Sequence, residues 1–146
     1  MTTTDTPIHQ LLAAYRDAVR ARDVDAFAAL YDDDLQVFDL WARWTHEGLA
    51  DWRAMATGWF GSLGDEQVQV DFADVRAWVS GDQASGSATL TFRALSADGQ
   101  QLRSMDNRTT LVARHVDGAW KIVHAHSSIP IEPANGGGVF KRPAST

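Results

Sequence analysis

The 146-residue sequence predicts an α+β protein in which a cone-shaped, curved antiparallel sheet packs on three N-terminal helices. Up to about residue 64 the apolar residues mostly follow helical spacing, and from residue 68 to residue 128 they alternate with a period of two. Helices that precede a run of strands imply segregated helix and sheet layers. A bulged sheet curved over helices leaves a hollow, and small molecules bind in such hollows.

The composition indicates one ordinary globular domain, which we place at residues 1–130. It is 45% hydrophobic and 22% charged, and the net charge is −6 with scattered Lys and Arg. These charges argue against nucleic acid or an anionic membrane as a partner. The chain has no cysteine, no signal-like N-terminus and no apolar run of membrane-spanning length. A cytoplasmic location is therefore predicted.

Three helices are predicted before the long strands. Thr6 is a suitable N-cap, with Pro7 in the first turn, and Asp23 caps a second, short helix. Residues 49–64 have a broad apolar face typical of a third helix. The segment "LQVFDLW" between the second and third helices is expected to be a short strand.

Four long strands are predicted after residue 67. The alternation changes phase between Phe72 and Val75, which indicates a bulge in the first of them. The others are expected near residues 84–94, 102–115 and 120–128, with a "VDGA" hairpin between the last two. Residues 131–146 have little to bury and are predicted to form a flexible C-terminal tail.

The last strand, "WKIVHAHSS", carries two histidines in an apolar setting. Strict alternation places Trp120, Ile122, His124 and His126 on one face. This face is therefore predicted to begin in the core and to end in a pocket.

The register of the last hairpin decides which residues join the two histidines. If Gly118 closes a three-residue loop, His115 pairs with Ala119. Thr110 then lies opposite the first histidine and Arg108 opposite the second. A two-residue loop would shift the register by one and move Arg108 to the other side. The three-residue loop is favoured because it gathers polar groups that can pair.

Three motifs carry a resemblance that covers Ile8 to Pro130: "LYDDDLQVFD" after the second helix, "HEG" before the third, and "DGAWKIVHAHSSIP" at the end. The sequence resembles the nuclear transport factor 2-like superfamily, which includes ketosteroid isomerase and the SnoaL-like polyketide cyclases, and is most similar to the SnoaL-like branch. It also resembles the association domain of calcium/calmodulin-dependent protein kinase II. The resemblance implies a cystatin-like α+β cone, a small-molecule pocket and a homodimer.

The resemblance to ketosteroid isomerase also implies site residues. The tyrosine that donates a hydrogen bond to the oxyanion matches Tyr15 in "LLAAYRDAV", and the aspartate base matches Asp39 in "VFDLW". A second oxyanion donor, a protonated aspartate in that enzyme, matches Thr110. This departure argues against steroid isomerisation.

Asp39 is the principal catalytic candidate because its neighbours in the sequence are apolar, and an apolar setting raises the basicity of a carboxylate. Its alternative role is to cap a turn or face water. Tyr15 is either a ligand contact or a core tyrosine. Trp41, Trp44, Trp52 and Trp59 are expected to wall a pocket for a flat ligand, with core or interface packing as their alternative.

Two classes of function follow from these residues. The first is a cofactor-independent isomerase, cyclase or lyase in which Asp39 removes a proton next to a carbonyl, while Tyr15 with His124 or Thr110 stabilises the enolate oxygen. The alternative is a non-catalytic binding or oligomerisation module that holds a small carboxylate through Arg108 and the two strand histidines, His124 and His126. A metal site at these histidines is not favoured, because no third ligand has suitable spacing. His46 shows no usable pattern.

Overall fold

The computed structural model describes residues 5–143, and these form three helices and one six-stranded sheet. The helices are α1 (Pro7–Ala21), α2 (Val24–Ala28) and α3 (Leu49–Gly61), and the strands are β1 (Tyr31–Phe38), β2 (His46–Glu47), β3 (Gln67–Ser80), β4 (Gln83–Leu95), β5 (Gln101–Val116) and β6 (Ala119–Ser128). The strand order is β2-β1-β6-β5-β4-β3, antiparallel except for the parallel pair β1–β6. The predicted α+β architecture is confirmed, and β2 and the parallel pair are additions to it. No helix in the described range is long and apolar enough to cross a membrane.

Helix α1 begins where the sequence predicts and lies close against the sheet. The Thr6 side chain accepts a hydrogen bond from the backbone N–H of His9 at 3.2 Å, and Pro7 occupies the first turn. Ile8 packs on Gly86 of β4, where an added Cβ would lie 2.7 Å from a methyl carbon of Ile8. The added Cβ would also lie 2.5 Å from the carbonyl oxygen of Arg76 in β3, so a larger residue at this position would displace α1, β3 or both.

The core centres on Phe27 of α2, which is fully buried. Its ring has four aromatic neighbours at centroid distances of 5.3 to 6.0 Å, namely Tyr15, Tyr31, Trp52 and Phe60. These rings join α1, α3 and β1 in one cluster. Loss of a buried phenylalanine ring typically costs about 3–5 kcal/mol, so Phe27 is a main determinant of how the helices are arranged above the sheet.

The predicted bulge in β3 is present. Ala73 pairs with Thr89, but the next pair is Arg76 with Ser87, so β3 holds one extra residue. Asp74 in this bulge has φ 54, a left-handed conformation that aspartate tolerates better than most residues. The bulge bends the strand and curves the sheet around the space below α1 and α3.

The hairpin between β5 and β6 has a two-residue loop, so the predicted three-residue loop is wrong. Val116 pairs with Ala119, and Asp117 and Gly118 both have positive φ, at 52 and 82. Two consecutive positive φ values are the signature of a tight hairpin turn whose twist matches that of the strands.

A second bulge, in β6, was not predicted. Ala113 pairs with Ile122 but Val112 pairs with His124, which leaves Val123 as the extra residue. The bulge inverts the phase of the strand. Ile122 points into the core, whereas His124 points to the opposite face, so the prediction that both share one face is wrong.

The C-terminal segment folds back on the sheet, which corrects the expectation that it has little to bury. The backbone N–H of Asp106 donates to the carbonyl of Phe140 at 2.7 Å, and the N–H of Arg142 donates to the Asp106 carboxylate at 2.7 Å. Lys141 donates to the carbonyl of Ser104 at 2.5 Å. Residues 139–142 thus run beside the part of β5 that β6 does not reach. Residues 144–146 of the predicted tail lie outside the described range, and the domain boundary at 130 stays a prediction.

Candidate active site in the cone cavity

The concave face of the sheet and the helices enclose a cavity of about 1020 Å³. Its walls are mainly apolar and include Leu11, Met55, Trp59, Leu90, Phe92 and Leu111. Small-molecule sites typically have this combination of apolar walls and a few polar groups. The polar groups that line the cavity are therefore the candidates for chemistry.

Asp39 lies at the cavity directly after β1. Burial raises the pKa of its carboxyl group, while the backbone N–H of Leu40 and the nearby His46 act in the opposite direction. A partly buried carboxylate with raised basicity suits proton abstraction better than an exposed one. The geometry permits the role that the sequence assigns to Asp39.

Tyr15 of α1 and Tyr31 of β1 line the same cavity. Burial is the largest cause that raises the pKa of both hydroxyl groups, and the carboxylate of Asp39 adds to it. Both hydroxyls therefore remain protonated at ordinary pH and are available as hydrogen-bond donors. The ring of Phe27 packs against both tyrosines and fixes their positions.

His46 is a cavity residue that the sequence analysis did not find. It is only 4% exposed, and its ring packs edge-on against Trp52 at a centroid distance of 5.0 Å. Its Nδ1 atom lies 3.5 Å from a carboxylate oxygen of Asp51. Arg43 donates to the other oxygen of Asp51 at 2.6 Å, and this hydrogen bond holds the pKa of Asp51 below its usual value. Asp51 thus accepts a hydrogen bond from Arg43 on one side and lies near the buried imidazole of His46 on the other.

No sequence signal separates His46 from a surface histidine, because its position depends on β2. This two-residue strand pairs with β1 through Val37 and His46. Gly48 follows with φ 84 and starts α3, which carries Asp51 and Trp52 to the imidazole. The "HEG" motif thus sets the turn from β2 into the helix.

The predicted tryptophan wall is only partly at the cavity. Trp59 of α3 lines it, and so does Trp41, although 53% of the Trp41 surface is exposed. Trp44 is 94% exposed and is not among the lining residues, so its predicted place in the pocket is wrong. Trp52, whose ring packs edge-on against His46, is the third tryptophan that lines the cavity.

The polar patch predicted on β5 and β6 lies on the convex face, away from the cavity. Arg108, Thr110 and His126 are exposed, and none of them lines the cavity. His124 packs edge-on against Phe38, as His126 does, at centroid distances of 5.0 and 5.4 Å. The physical reason is the bulge at Val123, which turns the histidines outwards. The expectation that these four residues bind the ligand within the pocket is thereby corrected.

The cavity face of the same two strands carries other polar residues that the analysis did not predict. Asn107, Thr109 and Ser127 line the cavity. The Ser127 hydroxyl donates to that of Thr109 at 3.3 Å. Strict alternation along β6 assigns Ser127 and its β5 neighbours to the convex face. The extra residue at Val123 places them on the cavity face instead.

The mouth of the cavity is closed in part by the folded-back C-terminal segment. Phe140 lines the cavity and stacks on Trp41, with ring centroids 5.7 Å apart and planes 15° apart. Arg142 forms an ion pair with Asp74 in the β3 bulge. The tail therefore connects the loop after β1 to the sheet edge across the opening.

A comparison with protein families gives one match over most of the chain. The model of the SnoaL-like domain matches residues 8–132. The chain belongs to the SnoaL-like family. This membership confirms the predicted relationship and supports small-molecule binding as the class of function. No curated protein matches the chain.

Solved structures of similar shape place this SnoaL-like protein in the nuclear transport factor 2-like superfamily. A nuclear transport factor 2-like protein of unknown function from Pseudomonas putida KT2440 is 25% identical, with 94% of each chain covered and a TM-score of 0.79. A putative calcium/calmodulin-dependent protein kinase II association domain from Xanthomonas campestris is 17% identical, covering 88% of this chain and 91% of that chain at a TM-score of 0.72. A putative scytalone dehydratase from Novosphingobium aromaticivorans is 14% identical, covering 86% of this chain and 83% of that one at a TM-score of 0.70. The last two likenesses concern the fold alone.

Proposed function

We propose that this SnoaL-like protein is a cofactor-independent enzyme that moves a proton on an apolar carbonyl compound bound in the cavity. The observation that carries the proposal is the placement of Asp39, a carboxylate of raised pKa in a mostly apolar cavity. Strongly perturbed groups in clefts are typical of functional sites.

The chemistry requires a base, a donor for the developing oxyanion and a dry pocket. Asp39 removes a proton from the carbon next to the carbonyl; the electron pair of that C–H bond forms the C=C bond of the enolate, and the π pair of the carbonyl moves onto its oxygen. Tyr15 donates a hydrogen bond to this oxygen. Return of the proton from Asp39 to a conjugated carbon gives isomerisation. In D₂O the hydrogen on protonated Asp39 exchanges with solvent, and delivery of deuterium to the original carbon gives isotope exchange.

His46 places an imidazole ring at the same cavity, with its Nδ1 atom 3.5 Å from a carboxylate oxygen of Asp51. An imidazole ring can donate a hydrogen bond or transfer a proton to an oxygen of the substrate. An acid of this kind fits the lyase variant of the proposal, in which a hydroxyl group leaves after Asp39 has removed the neighbouring proton.

Deuterium exchange tests the proposal without knowledge of the natural substrate. 1-Tetralone is a flat ketone with exchangeable protons on one carbon next to its carbonyl. In D₂O the protein should accelerate exchange at that carbon above the buffer rate, as measured by NMR. Asp39→Asn should remove the acceleration, because the amide keeps the shape but does not accept the proton, whereas the exposed Asp34→Asn should not. Exchange that is equally fast with Asp39→Asn would show that Asp39 is not the base.

A further inference from the structure

Residues 140–142 of the C-terminal segment lie at the border between the cavity and solvent. Phe140 lines the cavity and is partly buried. Its stacking partner Trp41 also lines the cavity, and 53% of the Trp41 surface is exposed. A ligand that passes between these two rings must separate them.

The loop of residues 130–139, which precedes this stretch, is closed by its own hydrogen bonds. The backbone N–H of Val139 donates to the carbonyl of Pro130 at 2.8 Å, and further backbone contacts join the two sides of the loop nearer its tip. Within the described range the buried core does not include residues 140–142. Rotation at Val139 would therefore move these three residues while the loop and the core stay intact.

The edge of β5 anchors the stretch in its present position. The carbonyl of Phe140 accepts a hydrogen bond from the N–H of Asp106 at 2.7 Å, and the Asp106 carboxylate accepts one from the N–H of Arg142 at 2.7 Å. Desolvation acts to raise the pKa of the Asp106 carboxyl, but hydrogen bonds from the Arg142 backbone and the Thr91 hydroxyl outweigh it and hold this pKa below its usual value. The carboxylate is therefore ionised at neutral pH and accepts both hydrogen bonds.

An ion pair with the bulge of β3 provides the second anchor. The Arg142 guanidinium pairs with the carboxylate of Asp74, and the two side chains are 43% and 63% exposed. Exposed ion pairs contribute little to stability and are screened by salt. Segments with few buried contacts open locally at a small cost in free energy. The anchors at Asp106 and Asp74 thus favour the present position without fixing it permanently.

We propose that residues 140–142 form a gate over the cavity, held closed by the stacking of Phe140 on Trp41 and by the ion pair of Arg142 with Asp74. Opening separates the two rings and lets an apolar ligand enter or leave. The gate rests on the cavity as the binding site of the proposed function, but not on the chemistry of Asp39.

Stopped-flow fluorescence of the full chain with prodan tests the gate. Prodan is a flat, uncharged naphthyl ketone whose emission shifts to shorter wavelength in apolar surroundings, so the signal gives its association and dissociation rate constants. Phe140→Ala should raise the association rate constant roughly 2- to 10-fold, because loss of the aromatic pair favours the open position. Trp44→Ala is the matched control, since Trp44 is 94% exposed and does not line the cavity, and it should leave this rate constant unchanged.

Salt tests the ion pair separately. Because prodan is uncharged, salt does not change its electrostatic attraction to the protein. Association with the wild type should become faster between about 0.05 M and about 0.5 M salt, since salt screens the pair of Arg142 with Asp74. Arg142→Ala should associate roughly 1.5- to 5-fold faster than the wild type at low salt and should lose most of this salt dependence. The exposed Arg114→Ala should behave like the wild type.

A phenylalanine that only forms part of the cavity wall would give different kinetics. Phe140→Ala would then speed dissociation alone and leave association unchanged. That result would overturn the gate, and so would a salt dependence that survives in full in Arg142→Ala. Absence of prodan binding to the wild type would also overturn it, because the cavity would not be the apolar site that a gate serves.

Failure of the proposed function is recognised by a different measurement. Full deuterium exchange of 1-tetralone in Asp39→Asn would remove Asp39 as the base. The gate would still be decided by the association rate constants of Phe140→Ala and Arg142→Ala.

Discussion

The rings of Trp41 and Phe140 stack across the mouth of the cavity, with centroids 5.7 Å apart. One belongs to the loop after β1 and the other to the C-terminal segment, so 99 positions of the chain separate them. The contact connects the segment that carries Asp39 to the segment that covers the opening. Loss of the stacking contact should therefore change the dynamics of both the loop after β1 and the C-terminal segment.

We expect Phe140→Ala to release the C-terminal segment. Aromatic pairs contribute about 0.5–1.5 kcal/mol beyond their buried area, so exchange of the amide hydrogen of Asp106, which donates to residue 140, should become roughly 2- to 10-fold faster. Amide exchange followed by NMR measures this rate. Amides in the centre of β5, such as that of Leu111, should not change, and Ile131→Ala, in the exposed part of the same segment, is the control. An unchanged rate at Asp106 would mean that the stack does not hold the segment.

We expect Asp39→Asn to stabilise the protein at neutral pH. Because burial raises the pKa of Asp39, the folded state binds the proton more tightly than the unfolded chain does. The ionised group therefore lowers stability once the pH exceeds its unfolded pKa of about 3.9, by up to about 1.4 kcal/mol for each unit of elevation. Melting temperatures should show Asp39→Asn above the wild type at pH 7 and equal to it below about pH 4. A pH-independent difference, or the same gain from Asp34→Asn, would contradict a raised pKa.

The sequence predicts correctly those helices and strands in which large apolar residues form a regular pattern. Helical spacing predicts α1 and α3, and the phase change between Phe72 and Val75 predicts the β3 bulge because large apolar residues mark both phases. In β6 few large apolar residues mark the phase of the strand on either side of the bulge. Ile122 and Val123 are both apolar, and beyond them the inward residues include the small Ala125 rather than a large side chain. Small or polar residues line a cavity where large apolar residues would fill a core. The apolar alternation that reveals which face of a strand is buried is therefore lost at the residues that form the site.

Other parts of the site depend on contacts between different secondary-structure elements. His46 is a cavity residue because α3 brings Asp51 and Trp52 beside it. The tail is ordered along β5 because Phe140 finds a stacking partner in Trp41. Neither contact is visible in the local sequence pattern, because each depends on how two separate elements of the fold are placed.

Adjacent residues of β6 provide a direct test of the face inversion. Ala125 lines the cavity, whereas His126 is on the convex face. Ala125→Leu should fill part of the cavity and weaken 1-tetralone binding by roughly tenfold or more, with a small effect on the melting temperature because the side chain enters open space. His126→Leu should leave binding unchanged. If His126→Leu weakened binding and Ala125→Leu did not, the β6 register would be wrong.

The convex face of the sheet is proposed to form a homodimer interface. Trp78 of β3 is 58% exposed on this face, and an exposed tryptophan is typical of an interface anchor. Light scattering should give twice the chain mass of 16.0 kDa for the wild type and the monomer mass for Trp78→Glu. Trp44→Glu alters a more exposed tryptophan in the loop after β1 and should remain dimeric. A monomeric wild type at micromolar concentration would remove the proposal.

Replacement of the two cavity tyrosines distinguishes an oxyanion donor from a core residue. Tyr15 and Tyr31 both pack on Phe27, so Tyr15→Phe and Tyr31→Phe each keep the ring and remove one hydroxyl. If Tyr15 donates to the enolate oxygen, Tyr15→Phe should slow deuterium exchange of bound 1-tetralone by roughly 10²- to 10³-fold, the usual effect of removing one oxyanion donor. The affinity for 1-tetralone should change little, because the charge on the oxygen develops only in the transition state.

Tyr31→Phe is the matched control and should slow exchange far less. Since burial keeps both hydroxyls protonated, the rate difference between wild type and Tyr15→Phe should stay constant from pH 6 to pH 9. A larger loss with Tyr31→Phe would transfer the donor role to Tyr31. Full exchange activity in both variants would leave the enolate without a tyrosine donor, and another N–H donor that lines the cavity, such as that of His46, Trp52 or Arg43, would then have to bind the oxygen.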